Sequence, residues 1–111
     1  MRKANVYFKD LLSGVLSEEE DGYRFVYDDS YRNGDYAHSI SLTLPLSQKE
    51  FRSKTIFPFF DGLIPEGWLL DVTVKNWKLN PSDRMGLLLA CCRDCIGAVS
   101  ISQIEEKSEL L

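Results

Sequence analysis

The sequence has no basic excess, a single histidine and no apolar run long enough to cross a bilayer, and each shortage narrows what the chain does. Thirteen Lys and Arg stand against 17 Asp and Glu, a formal net charge of −4. That sign opposes a phosphate backbone and no Lys/Arg cluster interrupts it, so direct binding of DNA or RNA is not expected. A membrane-spanning helix needs about 20 mostly apolar residues, and no stretch approaches that. Met1-Arg2-Lys3 leads straight into the alternation of Val6, Tyr7 and Phe8 without a secretory apolar core, which makes a cytoplasmic location the expectation.

Groups that carry chemistry are scarce too. The seven glycines are scattered, and none falls in a G-x-G-x-x-G or G-x-x-x-x-G-K-[ST] pattern, so nucleotide binding has no support and no cofactor is expected. His38 precedes a candidate strand among ordinary serines and reads as a solvated or capping residue, not as the base of a hydrolase triad. Three cysteines, Cys91, Cys92 and Cys95, are an odd number and cannot close a disulfide framework. With the histidine remote they also fall short of four spaced metal ligands, and they read as reduced structural residues. Cys92-Arg93-Asp94-Cys95 has C-x-x-C spacing but reads as closing a helix where a redox pair would open one. Asp28-Asp29 and Glu18-Glu19-Glu20 read as solvating charge. The chain is expected not to be an enzyme and to hold no metal.

What is present is an ordinary globular composition, 44% apolar and 27% charged, in 111 residues. That length suits one domain burying about two thirds of its unfolded surface. The expected domain spans residues 1–104, followed by an acidic tail over 105–111. The first half alternates like strands: one over Asn5 to Lys9, a turn over Asp10 to Gly14, a second strand beginning at Val15-Leu16, a third over Tyr23 to Tyr27 and a fourth over Ser39 to Leu44. The second half changes period after a loop through Lys49 to Lys54. Glu66 to Leu79 has helical spacing, and Asn80-Pro81-Ser82-Asp83 reads as the start of a further helix to about Cys91, with Asn80 as N-cap. Ala98 to Ile101 reads as a closing strand. The fold class is α+β: a mostly antiparallel sheet from the N-terminal half, helices from the C-terminal half packed on one face, and a closing C-terminal strand.

The densest stretch is Pro58-Phe59-Phe60-Asp61-Gly62-Leu63-Ile64-Pro65-Glu66-Gly67-Trp68, in which two prolines, two glycines and three large aromatics describe a loop that launches a helix. It carries no activated catalytic group and reads as a contact surface. At about 100° per residue, Leu69, Leu70, Val74 and Trp77 gather on one side of the helix from Glu66, while Trp68, Val72 and Leu79 gather nearly opposite. A helix on a sheet needs one apolar stripe, so the second stripe meets either another helix of the domain or another protein. Trp68, in the first turn beside Gly67, is the partner-facing candidate, since Trp is enriched at binding hot spots. Asp61 and Glu66 either cap local backbone or reach a basic patch on a partner.

These residues resemble the N-terminal subdomain of HipA-type Ser/Thr kinases. Pro58-Phe59-Phe60 and Leu63-Ile64-Pro65-Glu66-Gly67 are similar to the family's F-F-x-N-L-L-P-E-G signature. Arg93-Asp94-Cys95-Ile96-Gly97-Ala98-Val99 resembles its G-R-D-C-x-G-A-V turn, and Ser41-Leu42-Thr43-Leu44-Pro45-Leu46 its S-L-S-L-P-L strand. The likeness runs from Ala4 to Ser102 in the same order, with Asp61 where the family commonly has Asn and Trp68 where a smaller or polar residue is usual. No kinase catalytic loop or metal motif occurs before Leu111. In that respect the chain resembles the HipS-like small subunits of tripartite HipBST toxin-antitoxin systems. The resemblance implies an antitoxin that binds a HipT-like Ser/Thr kinase in a ternary complex with a HipB-like DNA-binding protein. The partner surface expected from the residues themselves is drawn from Phe59, Asp61, Ile64, Glu66, Trp68 and Val72.

Overall fold

Strand pairing organises the chain. In the computed structural model, which describes residues 2–64, 82–91 and 99–104 (backbone alone at 90 and 91), β1 (Lys3–Phe8), β2 (Leu11–Glu19) and β3 (Gly22–Tyr27) form a meander. β4 (Glu50–Ser53) extends it beyond β3, and β5 (Val99–Ile104) returns to pair with β1. The order is β4-β3-β2-β1-β5 and every pairing is antiparallel. The α+β class and the closing C-terminal strand expected from the sequence are both present.

The first hairpin is tighter than the sequence suggested. Lys9 and Asp10 alone make the turn, with φ of +49° and +69°, the left-handed pair that matches the twist of the strands they join. The expected turn over residues 10–14 is therefore corrected, because β2 already begins at Leu11. Ser13-Gly14 misled as turn chemistry. Val6 pairs with Gly14 and Tyr7 with Leu12, so Ser13 is the extra residue of a bulge; its buried hydroxyl donates to the Val6 carbonyl at 2.9 Å. Gly14 sits within the strand because a Cβ there would meet the Val26 carbonyl oxygen at 2.5 Å and the Phe25 ring at 2.7 Å.

One face of the sheet carries the core. Ala4, Val6, Leu16, Phe25, Tyr27, Val99 and Ile101 alternate toward it and are buried. α2 (Pro58–Asp61) brings Phe60, and α3 (Arg84–Cys91) brings Met85, Leu87, Leu88 and Leu89. α1 (Asp29–Arg32) starts at the Asp28-Asp29 pair that reads in the sequence as solvating charge. Asp28 is its N-cap, accepting from the Tyr31 N–H at 3.1 Å, and Tyr31 stacks on Tyr27 with ring centroids 6.3 Å apart.

The expected fourth strand over 39–44 is corrected as well. Only an isolated bridge joins Ser41 and Leu44, and Glu50–Ser53 takes the edge position beside β3 instead. Residues of like parity part company: Ile40 and Leu44 are buried while Leu42 is 99% exposed, which no strand alternation allows. The cause is Tyr27. Its buried hydroxyl accepts from the Ile40 N–H at 3.0 Å and donates to the Leu44 carbonyl, so backbone groups that a sheet ladder would use are already satisfied. Tyr31 does the same for His38, whose N–H donates to the Tyr31 hydroxyl at 3.1 Å and whose ring packs 5.7 Å from Phe8.

Candidate functional site

The aromatic segment begins where Phe57 turns the chain into α2. Phe57 has extended geometry (φ −59°, ψ 137°), Pro58 stands in the first turn where its missing N–H costs nothing, and Gly62 closes the element. Phe57, Phe60 and Ile64, spaced three and four apart, are 7%, 0% and 2% exposed, so one stripe of a short helical turn is driven into the core. Phe60 lies 5.5 Å from Phe25, 6.1 Å from Phe57 and 5.2 Å from Phe59, in tilted and edge-on arrangements that aromatic rings favour. Phe59 and Leu63 are half-buried and flank that stripe.

Asp61 is held from the other side. The Arg84 guanidinium donates from Nε to its Oδ1 at 2.6 Å, fastening α2 to the first residue of α3. Both side chains remain about two fifths open to solvent (41% and 35%), so the pair fixes geometry more than it stabilises, roughly 0.2–1 kcal/mol for an ion pair of this exposure. Sequence reading identified Asp61 but offered a cap or a partner's basic patch as its use; the ligand is Arg84, 23 positions away, and no local pattern announces it.

The start of α3 is fixed by a second network that sequence reading did not find. Asp83 accepts from the Gly86 N–H at 3.1 Å, capping a helix that begins at Arg84, not at Pro81 as expected. Arg2 binds Asp83 through two N–H groups at 2.8 Å and Glu18 through two more at 2.9 Å. Hydrogen bonds from Arg2 hold both carboxyls below their ordinary range, and the two carboxylates push the guanidinium upward in turn. Through this fork the beginning of the chain, β2 and α3 are locked together across 81 sequence positions.

The six expected contact residues therefore divide. Phe59 and Asp61 lie on α2, partly exposed; Ile64 is in the core, where its side chain positions the segment from within. Glu66, Trp68 and Val72 lie outside the described residues, as do the two-faced helix, Cys92, Asp94, Cys95 and Gly97. Among the described residues no helix is long and apolar enough to cross a membrane.

The five-stranded antiparallel sheet, with β5 paired to β1, superposes on proteins of known family. The model of the HipA N-terminal domain matches residues 4–102. An uncharacterized protein of Haemophilus influenzae is 32% identical over 103 residues, covering 93% of each chain. A putative kinase of Sinorhizobium fredii, Y4mE, is 26% identical over 102 residues, and this chain spans only 24% of its length. Among solved structures, an N-terminal domain of HipA toxin superposes with a TM-score of 0.71 at 30% identity, covering 96% of this chain and 95% of that one. The HipA chain of a Shewanella oneidensis HipA, HipB and operator DNA complex gives 0.70 at 23% identity, over 89% of this chain and 23% of its own. The protein belongs to the HipA N-terminal domain family.

Proposed function

We propose that the chain is an antitoxin subunit that binds a HipT-like Ser/Thr kinase and inhibits it by docking the Phe/Pro/Trp segment near the kinase active-site cleft. The observation that supports this reading most is the clamping of α2. Phe57, Phe60 and Ile64 anchor it from below and Arg84 from the side, so the described part of the segment is held at a fixed point as far as Ile64. A segment launched from a rigid base loses less entropy on binding than a free loop does. Phe59 and Asp61 are exposed enough to take part, and Glu66, Trp68 and Val72 follow in sequence as the flanking acid and apolar anchors. The acidic balance of the chain suits a basic kinase surface. Family membership supports the setting: these residues correspond to the N-terminal domain of a toxin kinase, and the similarity lies in that domain alone.

In this reading the docked segment blocks substrate entry or holds the kinase lobes in an inactive arrangement, in a cytoplasmic assembly that includes a HipB-like DNA-binding protein. A scaffold that stabilises the kinase without inhibiting it is the second reading, favoured by how much of the segment's aromatic surface is spent on the domain's own core. Phosphotransfer by a HipT-like kinase, measured with and without saturating chain, separates the two. Inhibition that disappears in a folded Trp68→Ala variant is the expected result; full kinase activity in a formed complex would overturn the inhibitory reading.

A further inference from the structure

A second contact surface lies away from the aromatic turn. Four large apolar side chains are exposed among the described residues, and three of them, Leu11, Leu12 and Tyr36, line one cleft of about 330 Å³ at the end of the first hairpin. Tyr31 forms part of its wall, and Asp28 and Asp35 stand on its lining. No basic side chain among the described residues lines it. Leu11 and Leu12 open β2 just beyond the Lys9-Asp10 turn, where the bulge at Ser13 separates them from the regular alternation that buries Leu16. An apolar cleft of this size with a few polar groups is the form of a site for one or two side chains.

We infer that this cleft docks a segment of a partner polypeptide carrying an apolar side chain flanked by Lys or Arg. The charge of the cleft selects that occupant. Two acidic residues line the cleft, no described basic residue lines it, and the chain as a whole carries −4, so a second copy of the chain, or its own acidic residues 105–111, would bring like charge to an acidic lining. A cationic segment instead places its apolar anchor between Leu11, Leu12 and Tyr36 and its charge beside Asp35. Asp28 is engaged through one oxygen with the Tyr31 N–H, and among the described residues its other oxygen has acceptor capacity to offer. The site shares no residue with α2, so the chain would hold two partners, or two regions of one partner, at once. The inference does not depend on kinase inhibition.

The test is an NMR titration of the isotopically labelled chain with acetyl-Arg-Leu-Lys-Phe-amide and, in parallel, with acetyl-Glu-Leu-Asp-Phe-amide. The basic peptide is expected to move the amide signals of Leu11, Leu12, Ser30 and Tyr36, with the acidic peptide roughly tenfold weaker. Tyr36→Ala, at a side chain 74% exposed and so safe for folding, is expected to weaken the basic peptide roughly tenfold, and Asp35→Asn to reduce its salt dependence. The assignment is overturned if neither peptide shifts these signals, if both do so equally, or if Tyr36→Ala leaves binding unchanged. It is likewise overturned if sedimentation shows a self-associated chain that Leu12→Asp returns to monomer, since the occupant is then a second copy.

Discussion

Phe59 and Phe60 are chemically identical neighbours that the fold assigns to different work, and exchanging each for alanine separates the two roles. Phe60 is 0% exposed and touches the rings of Phe25, Phe57 and Phe59. Truncating a ring in such a setting costs about 3–5 kcal/mol in lost transfer energy and residual cavity. Against a total of about 5–15 kcal/mol for an ordinary domain, that is a fifth of the stability or more. At roughly 4 °C per kcal/mol for a chain of this size, Phe60→Ala should lower the melting temperature by about 12–20 °C. Phe59 is half-buried at the edge of the same cluster, and its truncation should cost about 1–2 kcal/mol. Thermal unfolding followed by circular dichroism measures both. Affinity for a HipT-like kinase supplies the other axis: Phe59→Ala is expected to weaken it roughly tenfold while the protein stays folded. A fall below about 4 °C for Phe60→Ala would refute the anchored turn, because a ring removable at that cost is not holding α2 to the sheet.

Two further perturbations probe the networks around the site. The carboxyls of Glu18 and Asp83 ionise more readily in the folded chain than in the unfolded one, so the unfolded state binds more protons at low pH. Their contribution is complete above the ordinary carboxylate range near about pH 4 and is lost as pH falls through the depressed folded values. Arg2→Gln should therefore flatten the acid limb of stability measured by urea midpoints between about pH 5 and 2, and an unchanged slope would count against the fork. Tyr27→Phe removes the hydroxyl that serves the Ile40 N–H and the Leu44 carbonyl, a loss of about 1–3 kcal/mol with faster amide exchange at Ile40; unaltered exchange there would show that another group satisfies that N–H.

Alternation made most of the sheet legible. Val6 and Phe8, the run from Tyr23 to Tyr27, and Val99 with Ile101 carry period-two patterns that survive in β1, β3 and β5. The fourth strand was hidden for a physical reason. Glu50-Phe51-Arg52-Ser53 has one apolar residue because an edge strand with a solvated outer face needs no more, whereas Ile40, Leu42 and Leu44 alternate perfectly and are kept from pairing by the Tyr27 hydroxyl. At the site, the turn chemistry of Pro58 and Gly62 concealed the 57, 60, 64 spacing that builds α2. Arg84 and Arg2 were unreadable because their partners lie 23 and 81 positions away, and only the folded chain brings such charges together. Ile64 stood among the candidate contacts because it lies inside the motif; its depth in the core is a property of the folded packing.

The place of β1 inside the sheet has a consequence for synthesis. The first described strand to leave the ribosome is flanked in the finished molecule by β2 and by β5, the final described strand to be made. Until Val99–Ile104 emerges from the exit tunnel, one margin of Lys3–Phe8 has no neighbour, and nascent chains crowded on one message present each other with an open template. Translation stalled between residues 64 and 99 should accordingly yield sedimenting material, and freely soluble stalled chains would show that something else shelters that margin.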